Sequence, residues 1–465
     1  MVLDIIIYYN LVVIFYFLVL NFYYIFLLLL ASDTLFYYQR TRQLRNPRKE
    51  ANPLAASIAI LAPAHNEEPT IVESVRALLH VEYPELEVIV INDGSKDNTL
   101  TVLKNAFKLF AVPRAAETRI TTKPVKGIYQ SAVDRRLTVI DKENGGKADS
   151  LNAGLNTSRS RLFCAIDADS LIEKDALNRL MQYYLEREAK TVALGGVVRI
   201  ANDCRIENGE VIEARVPKKF LPAMQVMEYI RAFLCGRAGW NKLNSLLIIS
   251  GAFGLFERKS VMECGGYRTD TVGEDMELVV RLHRMMRQQK KPYRVVFVPD
   301  PVCWTQAPDT LKVLERQRNR WQRGLIETML HHWKMIGNPR YGLPGAIGMP
   351  YFLFFEVLGP VIEITGYIVV IISYIFGWIN LTFLLLFISL AILFGVLLSL
   401  FSLLLEEFTV KKYENPKDVI KLFILAVLEN FGYRQLHSWW RLKAIFDFIG
   451  RKRSWGEMQR KAFAP

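Results

Sequence analysis

Apolar residues fill positions 5–31 almost without interruption, with only Asn10 and Asn21 strongly polar. A run of that length crosses a bilayer as a helix. It exceeds a signal-peptide core, and no small-residue cleavage site follows it, so it predicts a retained transmembrane helix. From about 55 to 310 the pattern becomes short apolar runs alternating with amphipathic stretches. Residues 57–63, 86–93, 137–140, 162–167, 191–200 and 293–299 read as buried strands. Pro69 is placed to open the helix after the first strand. Asp97-Asn98-Thr99 is placed to cap the next, and a further helix is predicted over 147–158. The alternation predicts an α/β fold, a mostly parallel sheet with helices on both faces. In such sheets a ligand lies off the carboxyl ends of the strands. Residues 111–136 read as an irregular basic insertion without chemistry.

Beyond about 345 the apolar pattern returns. Residues 351–375 and 381–404 are apolar enough to span, with Glu356 and Glu363 expected to face protein or lumen. The stretch 418–450 reads as a tight hairpin of two short spans, the alternative being an interfacial helix. The expected organisation is a transmembrane helix (1–35), a cytosolic catalytic domain (52–338), an interfacial segment (339–350), transmembrane or interfacial helices (351–450) and a basic cytosolic tail (451–465). Helices over 219–250 and 339–350, with Phe220, Trp240 and Tyr341, suit interfacial ramps. Arg40, Arg42, Arg45, Arg48 and Lys49 follow the first span, and Arg451-Lys452-Arg453 follow the last. The positive-inside rule then puts the N-terminus outside and the C-terminus inside, which five spans satisfy. The predicted location is a multi-pass protein of the inner or plasma membrane.

Composition sharpens this picture. The chain has 465 residues, 51% hydrophobic, with a net charge of +13. Its basic residues cluster beside apolar segments rather than along one soluble stripe. That fits anionic lipid and an anionic substrate, and it excludes nucleic acid as a partner. The five cysteines, Cys164, Cys204, Cys235, Cys264 and Cys303, are scattered without a C-x-x-C, so neither a disulfide framework nor a zinc site is expected.

Several short motifs carry candidate chemistry. Asp167 and Asp169, two residues apart on an extended chain, put two carboxylates on one side. Mg²⁺ or Mn²⁺ binds through one or two carboxylates plus substrate phosphates. Asp93, in INDGS, can accept hydrogen bonds from a nucleoside; its plainer reading is a turn and helix cap. Asn144-Gly145-Gly146-Lys147 is not a Walker A loop, since Asp141 and Ala148 stand where Gly and Ser or Thr belong. Lys147 can still offset a diphosphate. Glu67 ends the first strand and is a candidate for nucleotide contact. Asp275, with Glu274 second, is the candidate general base: an attacking hydroxyl must lose a proton, and a positioned carboxylate takes it. Gln317, Arg320 and Trp321 stand at i, i+3 and i+4 and share one helix face. An amide, a forked cation and a flat indole there suit a sugar ring and a diphosphate. His283, His331 and His332 read as helix-surface or interfacial residues.

Taken in order, APAHNEE, INDGSKDNT, NGGKADSLNAG, AIDADS, SGAF, GEDMEL and QRNRW resemble the family-two, inverting, processive membrane glycosyltransferases. These include the synthases of cellulose, hyaluronan, chitin and poly-N-acetylglucosamine, the last being nearest in wording. The resemblance covers about 55–330 closely. It implies a cytosolic GT-A domain, Rossmann-like, on a membrane channel. By matching motifs it assigns nucleotide or donor binding to Asp93, Asp167 and Arg320, beside the Lys147 already read at the diphosphate, and metal to Asp169 with Asp167. The base is Asp275, and the acceptor end falls to Gln317, Trp321, Glu274 and the Ser250-Gly251 loop. The implied function is transfer of a sugar, N-acetylglucosamine being expected, from a UDP-sugar to a growing β-linked polysaccharide. A single-transfer enzyme acting on a membrane lipid or lipid phosphate is the alternative, and a non-catalytic scaffold the third. Two departures stand out. No PilZ-like extension follows the last span, so in-chain cyclic-di-GMP control is not expected. One span, rather than two or more, precedes the catalytic domain, so a homo-oligomer or an accessory secretion subunit is expected as a partner.

Overall fold

Both faces of the first strand are buried, as its unbroken apolar run requires. In the computed structural model, which describes residues 2–42, 56–113, 117–167, 170–186, 190–207 and 209–450, that strand is β1 (Ile58–Ala64). Its Ile58, Ile60 and Ala62 join one core with Ile71, Val75 and Leu78 of the helix Ile71–Leu79. Its Ala59 and Leu61 join the opposite core with Leu151 and Leu155 of the helix Lys147–Thr157. The strands that follow are β2 (Leu86–Asp93), β3 (Leu109–Ala111), β4 (Val125–Ser131), β5 (Leu137–Lys142), β6 (Leu162–Ile166), β7 (Leu171–Ile172) and β8 (Thr191–Ile200). After them come β9 (Arg205–Glu207), β10 (Glu210–Glu213), β11 (Phe253–Glu257) and β12 (Arg294–Thr305). All but β9 and β10, which form a separate ribbon, build one sheet in the order β3-β4-β5-β2-β1-β6-β11-β8-β12-β7.

The sheet is mixed rather than mostly parallel. The pairs β1–β2, β1–β6, β2–β5 and β8–β12 are parallel. The pairs β6–β11, β11–β8, β12–β7, β3–β4 and β4–β5 are antiparallel. Three elements cause the departure, one of them the two-residue β7, set antiparallel against β12. Strand β11 inserts antiparallel between β6 and β8. Strand β4 lies inside the supposed irregular insertion and extends the sheet edge through β5, so 111–136 is not wholly irregular. The expected parallel core, β5-β2-β1-β6, holds, and its strands end together at Lys142, Asp93, Ala64 and Ile166.

The N-terminal helix runs Val2–Arg42, roughly 60 Å at 1.5 Å per residue, well beyond a bilayer core of about 30 Å. Its Val13, Phe17 and Leu20 pack with Val370, Phe387 and Leu390. Its Leu27, Ala31 and Leu35 pack into the core of the sheet domain. The predicted boundary at 35 therefore falls inside a helix that ties the apolar bundle to the sheet. Arg45, Arg48, Lys49 and the tail from 451 lie outside the described residues.

Among the described residues two helical stretches are long and apolar enough to cross a membrane, Leu3–Thr41 and Leu381–Thr409. A third is possible if Pro344–Val357 and Gly359–Ile375, bent by 42°, count as one. Among the described residues the count by length and composition is two or three, against the five expected. The segment 418–450 forms helices Pro416–Leu428 and Arg434–Ile449, too short and, in the second, too charged. The second lies against the helix Leu311–His331, with Lys443 to Glu315 at 2.6 Å and Asn319 to Asp447 at 2.8 Å. The ramp at 219–250 is a helix over Phe220–Lys242 with a π-helical middle; that at 339–350 is short 3₁₀ and π turns.

The histidine reading also changes. His283 is fully buried, bonded to the Tyr293 hydroxyl (2.7 Å) and the Leu246 carbonyl (2.9 Å). His332 is buried against Glu277 at 3.1 Å. Burial pushes the His283 imidazole down to about 4. The unfolded chain thus binds this proton more tightly than the fold. The stabilisation is full above the ordinary value near 6.5 and is lost as pH falls through about 4. Across that window it amounts to about 3 kcal/mol. Denaturant midpoints are therefore expected to drop between pH 6.5 and 4, and to drop less in His283→Gln. Parallel profiles in the two proteins would clear His283 of the effect.

Candidate active site

Register gathers the site. Pairing of β2 with β5 sets Asp93 beside Lys142 at the common strand edge. The Lys142 ammonium is fully buried between Asp93 (2.8 Å) and Asp149 (2.6 Å). The Gly145 and Gly146 N–H groups donate to the two Asp93 carboxylate oxygens at 2.9 and 2.8 Å. Gly146 has φ +86°, a conformation that glycine adopts without strain. Asp93 thus shapes the glycine loop as well as facing the cavity. His65 Nδ1 and Asn144 Nδ2 both meet the Asp93 carbonyl, at 2.8 and 3.0 Å. Glu67 is buried, and its backbone N–H donates to Thr99 Oγ1 at 2.9 Å.

Lys147, one residue beyond that loop, bridges two elements. Its ammonium pairs with Asp167 at the end of β6, donates to the Gly251 carbonyl at 3.0 Å and lies 3.9 Å from Glu274. Burial would lower its pKa, but Asp167, Glu274 and Asp275 outweigh that and raise it. Burial raises the Glu274 carboxyl, with Lys147 opposing. Asp275 opens the helix Glu274–Gln288, and its Oδ2 accepts the Gly251 N–H at 3.0 Å. Ser250 and Gly251 precede β11, so their loop is fixed by an antiparallel strand that sequence reading missed. Asp169 lies outside the described residues. Among the described residues no group of three His, Cys, Asp or Glu is placed to hold a metal. One or two carboxylates with substrate phosphates suffice for Mg²⁺ or Mn²⁺, and Lys147 engages Asp167 through Oδ1.

The helix Leu311–His331 closes the site. It approaches Asp275 through two glycines: a Cβ on Gly324 would stand 2.7 Å from the Gly273 Cα. Trp321 is 38% exposed, an unusual state for an indole. Arg318 lies over its ring at 4.2 Å, and the Phe233 ring is 5.9 Å away. The Gln317 Oε1 is buried without a hydrogen-bond partner. Arg320 acts on Glu274 electrostatically.

One residue on from Trp321, Gln322 reaches the bent helical segment around Glu356. Pro360 lacks an N–H, so it cannot satisfy the carbonyl of Glu356 four residues back, and the chain bends there. Gln322 Nε2 donates to that carbonyl at 3.0 Å, and Arg441 donates to it as well. Arg441 also holds Gln322 Oε1 at 2.8 Å and Glu356 Oε2 at 2.7 Å. Sequence reading gives Lys142, Asp149, Gln322 and Arg441 no place in the site. For Lys142 the available signal was a lysine ending an apolar strand.

The described candidate residues line one cavity of about 1860 Å³, with Lys142 and Asp149 buried behind its wall. Glu67, Asp93, Lys147 and Asp167 stand at one end, Glu274, Asp275, Gln317, Arg320 and Trp321 follow, and Asn21, Glu363, Tyr367 and Arg434 of the apolar bundle line its continuation.

Comparison with known proteins bears on this arrangement. Residues 55–324 match a family described as glycosyltransferase like family 2, and residues 268–462 match one described as chitin synthase. The poly-beta-1,6-N-acetyl-D-glucosamine synthase of Staphylococcus epidermidis is 27% identical over 315 residues, covering 67% of this chain and 64% of that protein. That of Staphylococcus aureus (strain COL) is 27% identical over 326 residues, covering 69% and 66%. The match thus spans slightly less than two thirds of these relatives' length. Among solved structures, the mannosyltransferase PcManGT from Pyrobaculum calidifontis, in complex with GDP-Man and Mn2+, aligns with a TM-score of 0.48 and 18% identity. That alignment covers 88% of this chain and 99% of the other.

Proposed function

This chain belongs to the glycosyltransferase like family 2, and from that membership we propose that it adds N-acetylglucosamine from a UDP-sugar to a growing β-linked polysaccharide at a membrane. The observation that carries the reading is the single cavity joining Asp93, Lys147 and Asp167 to Asp275 and Trp321, and continuing among the apolar helices. The names of the staphylococcal relatives support the choice of sugar.

In this reading the donor's diphosphate lies against Lys147 and Arg320, which offset the charge that develops as the glycosidic bond breaks. Asp93 with the glycine loop faces the nucleoside. Trp321 stacks on the terminal acceptor sugar and Gln317 bonds it. Asp275, held by the Gly251 N–H, takes the proton from the attacking hydroxyl, and a single displacement inverts the anomeric carbon. Mg²⁺ or Mn²⁺, held through Asp167 and Asp169, would supply further charge compensation at the diphosphate. The Gln322–Arg441–Glu356 clamp fixes the acceptor helix to the bent segment, so the acceptor end and the membrane path keep one alignment. Processive growth and passage of the product through the bundle follow from that alignment.

The test is UDP release by the purified full chain in detergent, with Mg²⁺ or Mn²⁺, across a panel of UDP-sugars, with product sizing. Release selective for UDP-N-acetylglucosamine together with high-molecular-weight product is expected. Release accompanied only by a glycolipid product would replace the polymerase with the lipid transferase.

A further inference from the structure

Three guanidinium groups on the cavity wall beyond Asp275 are neutralised in place. Arg231 pairs with Glu429 at 3.1 Å, Arg318 with Glu228 at 2.8 Å and Arg441 with Glu356 at 2.7 Å. Arg237 is different. It lines the same cavity and is 6% exposed. Its one close partner is the ring of Phe233, 4.3 Å from the guanidinium carbon. Among the described residues no carboxylate stands within ion-pair distance of it and no side chain hydrogen-bonds it. A guanidinium stays protonated at neutral pH, and with no side-chain acceptor among the described residues its N–H donors are turned to the cavity. A ring face compensates such a charge only in part.

Its neighbours place it on the acceptor side. Phe233 packs against Trp321, and the acids that bear on Arg237 are Asp275 and Tyr229. The planar fork of a guanidinium matches a carboxylate or a phosphate. Farther along the cavity, Arg434 is bonded to Asn430 at 2.8 Å and likewise has no carboxylate within ion-pair distance among the described residues. An acidic acceptor extending along the cavity meets both.

We propose that Arg237 binds an oxyanion of the acceptor, a sugar carboxylate or a phosphate, beside the Trp321 platform, so that the acceptor is an acidic molecule. This rests on Asp275 and Trp321 marking the acceptor end, as proposed above. The anionic acceptor is the one engaged first, before added N-acetylglucosamine residues extend it.

The test is binding to the purified full chain in detergent of three probes: a hyaluronan tetrasaccharide, phytanyl phosphate and uncharged chitotetraose, with UDP as control. One acidic probe is expected to bind at least tenfold tighter than chitotetraose, and the tighter of the two separates carboxylate from phosphate. Arg237→Gln should remove that tenfold and leave UDP and chitotetraose unchanged. Arg237→Lys, which keeps the charge and loses the fork, should fall between, and serves if the glutamine variant does not fold. Equal binding of all three probes by the wild type overturns the proposal. So does unchanged acidic-probe binding in a folded variant, or loss of all ligands together. The readout needs no turnover. Acidic-probe binding through Arg237 without release of UDP from any donor would remove the transferase reading and keep the anion site. Efficient transfer to chitotetraose without preference for an acidic acceptor would do the reverse.

Discussion

Replacing Asp275 by Asn is expected to lower sugar transfer by a factor of about 10²–10⁴, the usual contribution of a positioned general base. The substitution keeps the size of the side chain. An amide cannot take the proton of an attacking hydroxyl, and its nitrogen cannot accept the Gly251 N–H that now meets Oδ2 at 3.0 Å. The second contact, from the Met276 N–H to Oδ1 at 2.8 Å, remains available to the amide oxygen, so the helix start should hold. The proposed nucleotide end is Asp93, the glycine loop and Lys147, none of which bonds Asp275 directly. UDP-sugar affinity should therefore change by no more than a few-fold, with the loss falling on kcat. Glu274→Gln should behave differently. Glu274 stands 3.9 Å from Lys147, so its loss redistributes charge at the diphosphate and moves the donor KM. The measurement is steady-state UDP release with separate equilibrium binding of UDP. If Asp275→Asn kept a tenth or more of the wild-type rate, Asp275 would not be the base, and the acid next to it would become the candidate.

The cavity brings together every described residue that the motifs single out, and the reason is visible in the strands. Runs such as SIAILAP and LEVIVIND are apolar without alternation because helices cover both faces, and such strands belong to a parallel core. Polar residues at their ends then fall along one edge, which makes Glu67, Asp93 and Asp167 legible from sequence. What the pattern does not carry is pairing. Strand β11 reads as a loop after SGAF because five residues are too few to show a period, and nothing local fixes its antiparallel sense. The register that sets Lys142 against Asp93 depends on β2 meeting β5 across 49 positions of sequence. The bond from Gln322 to Glu356 needs both a helix and the break before Pro360. Arg237 stands out only once its neighbours are known to have carboxylates and it is known to have none. Burial of His283 and His332 was misread for a related reason: a helix through a domain of this size has more than one covered face.

The largest expected effect on stability comes from Lys142→Met. The methionine has a similar length and suits a dry site, so packing is nearly conserved and the change isolates charge. Lys142 is fully buried, and both of its partners are nearly so. Without the ammonium, two carboxylates remain in the interior with only N–H donors for company, Gly145 and Gly146 on Asp93 and Lys123 on Asp149. Breaking a buried pair in this way typically destabilises by about 3–5 kcal/mol. The same loss loosens the glycine loop, since Asp93 must protonate or move, and UDP binding should weaken with it. Denaturant unfolding of the purified chain at neutral pH gives the stability change, and titration with UDP gives the second. Lys142→Met combined with Asp149→Asn separates charge from packing, because it removes one of the two stranded carboxylates. The double variant should regain part of the loss through a favourable coupling. A single variant within about 1 kcal/mol of wild type, the range of an exposed pair, would show that water reaches this pair and that the glycine loop does not depend on it.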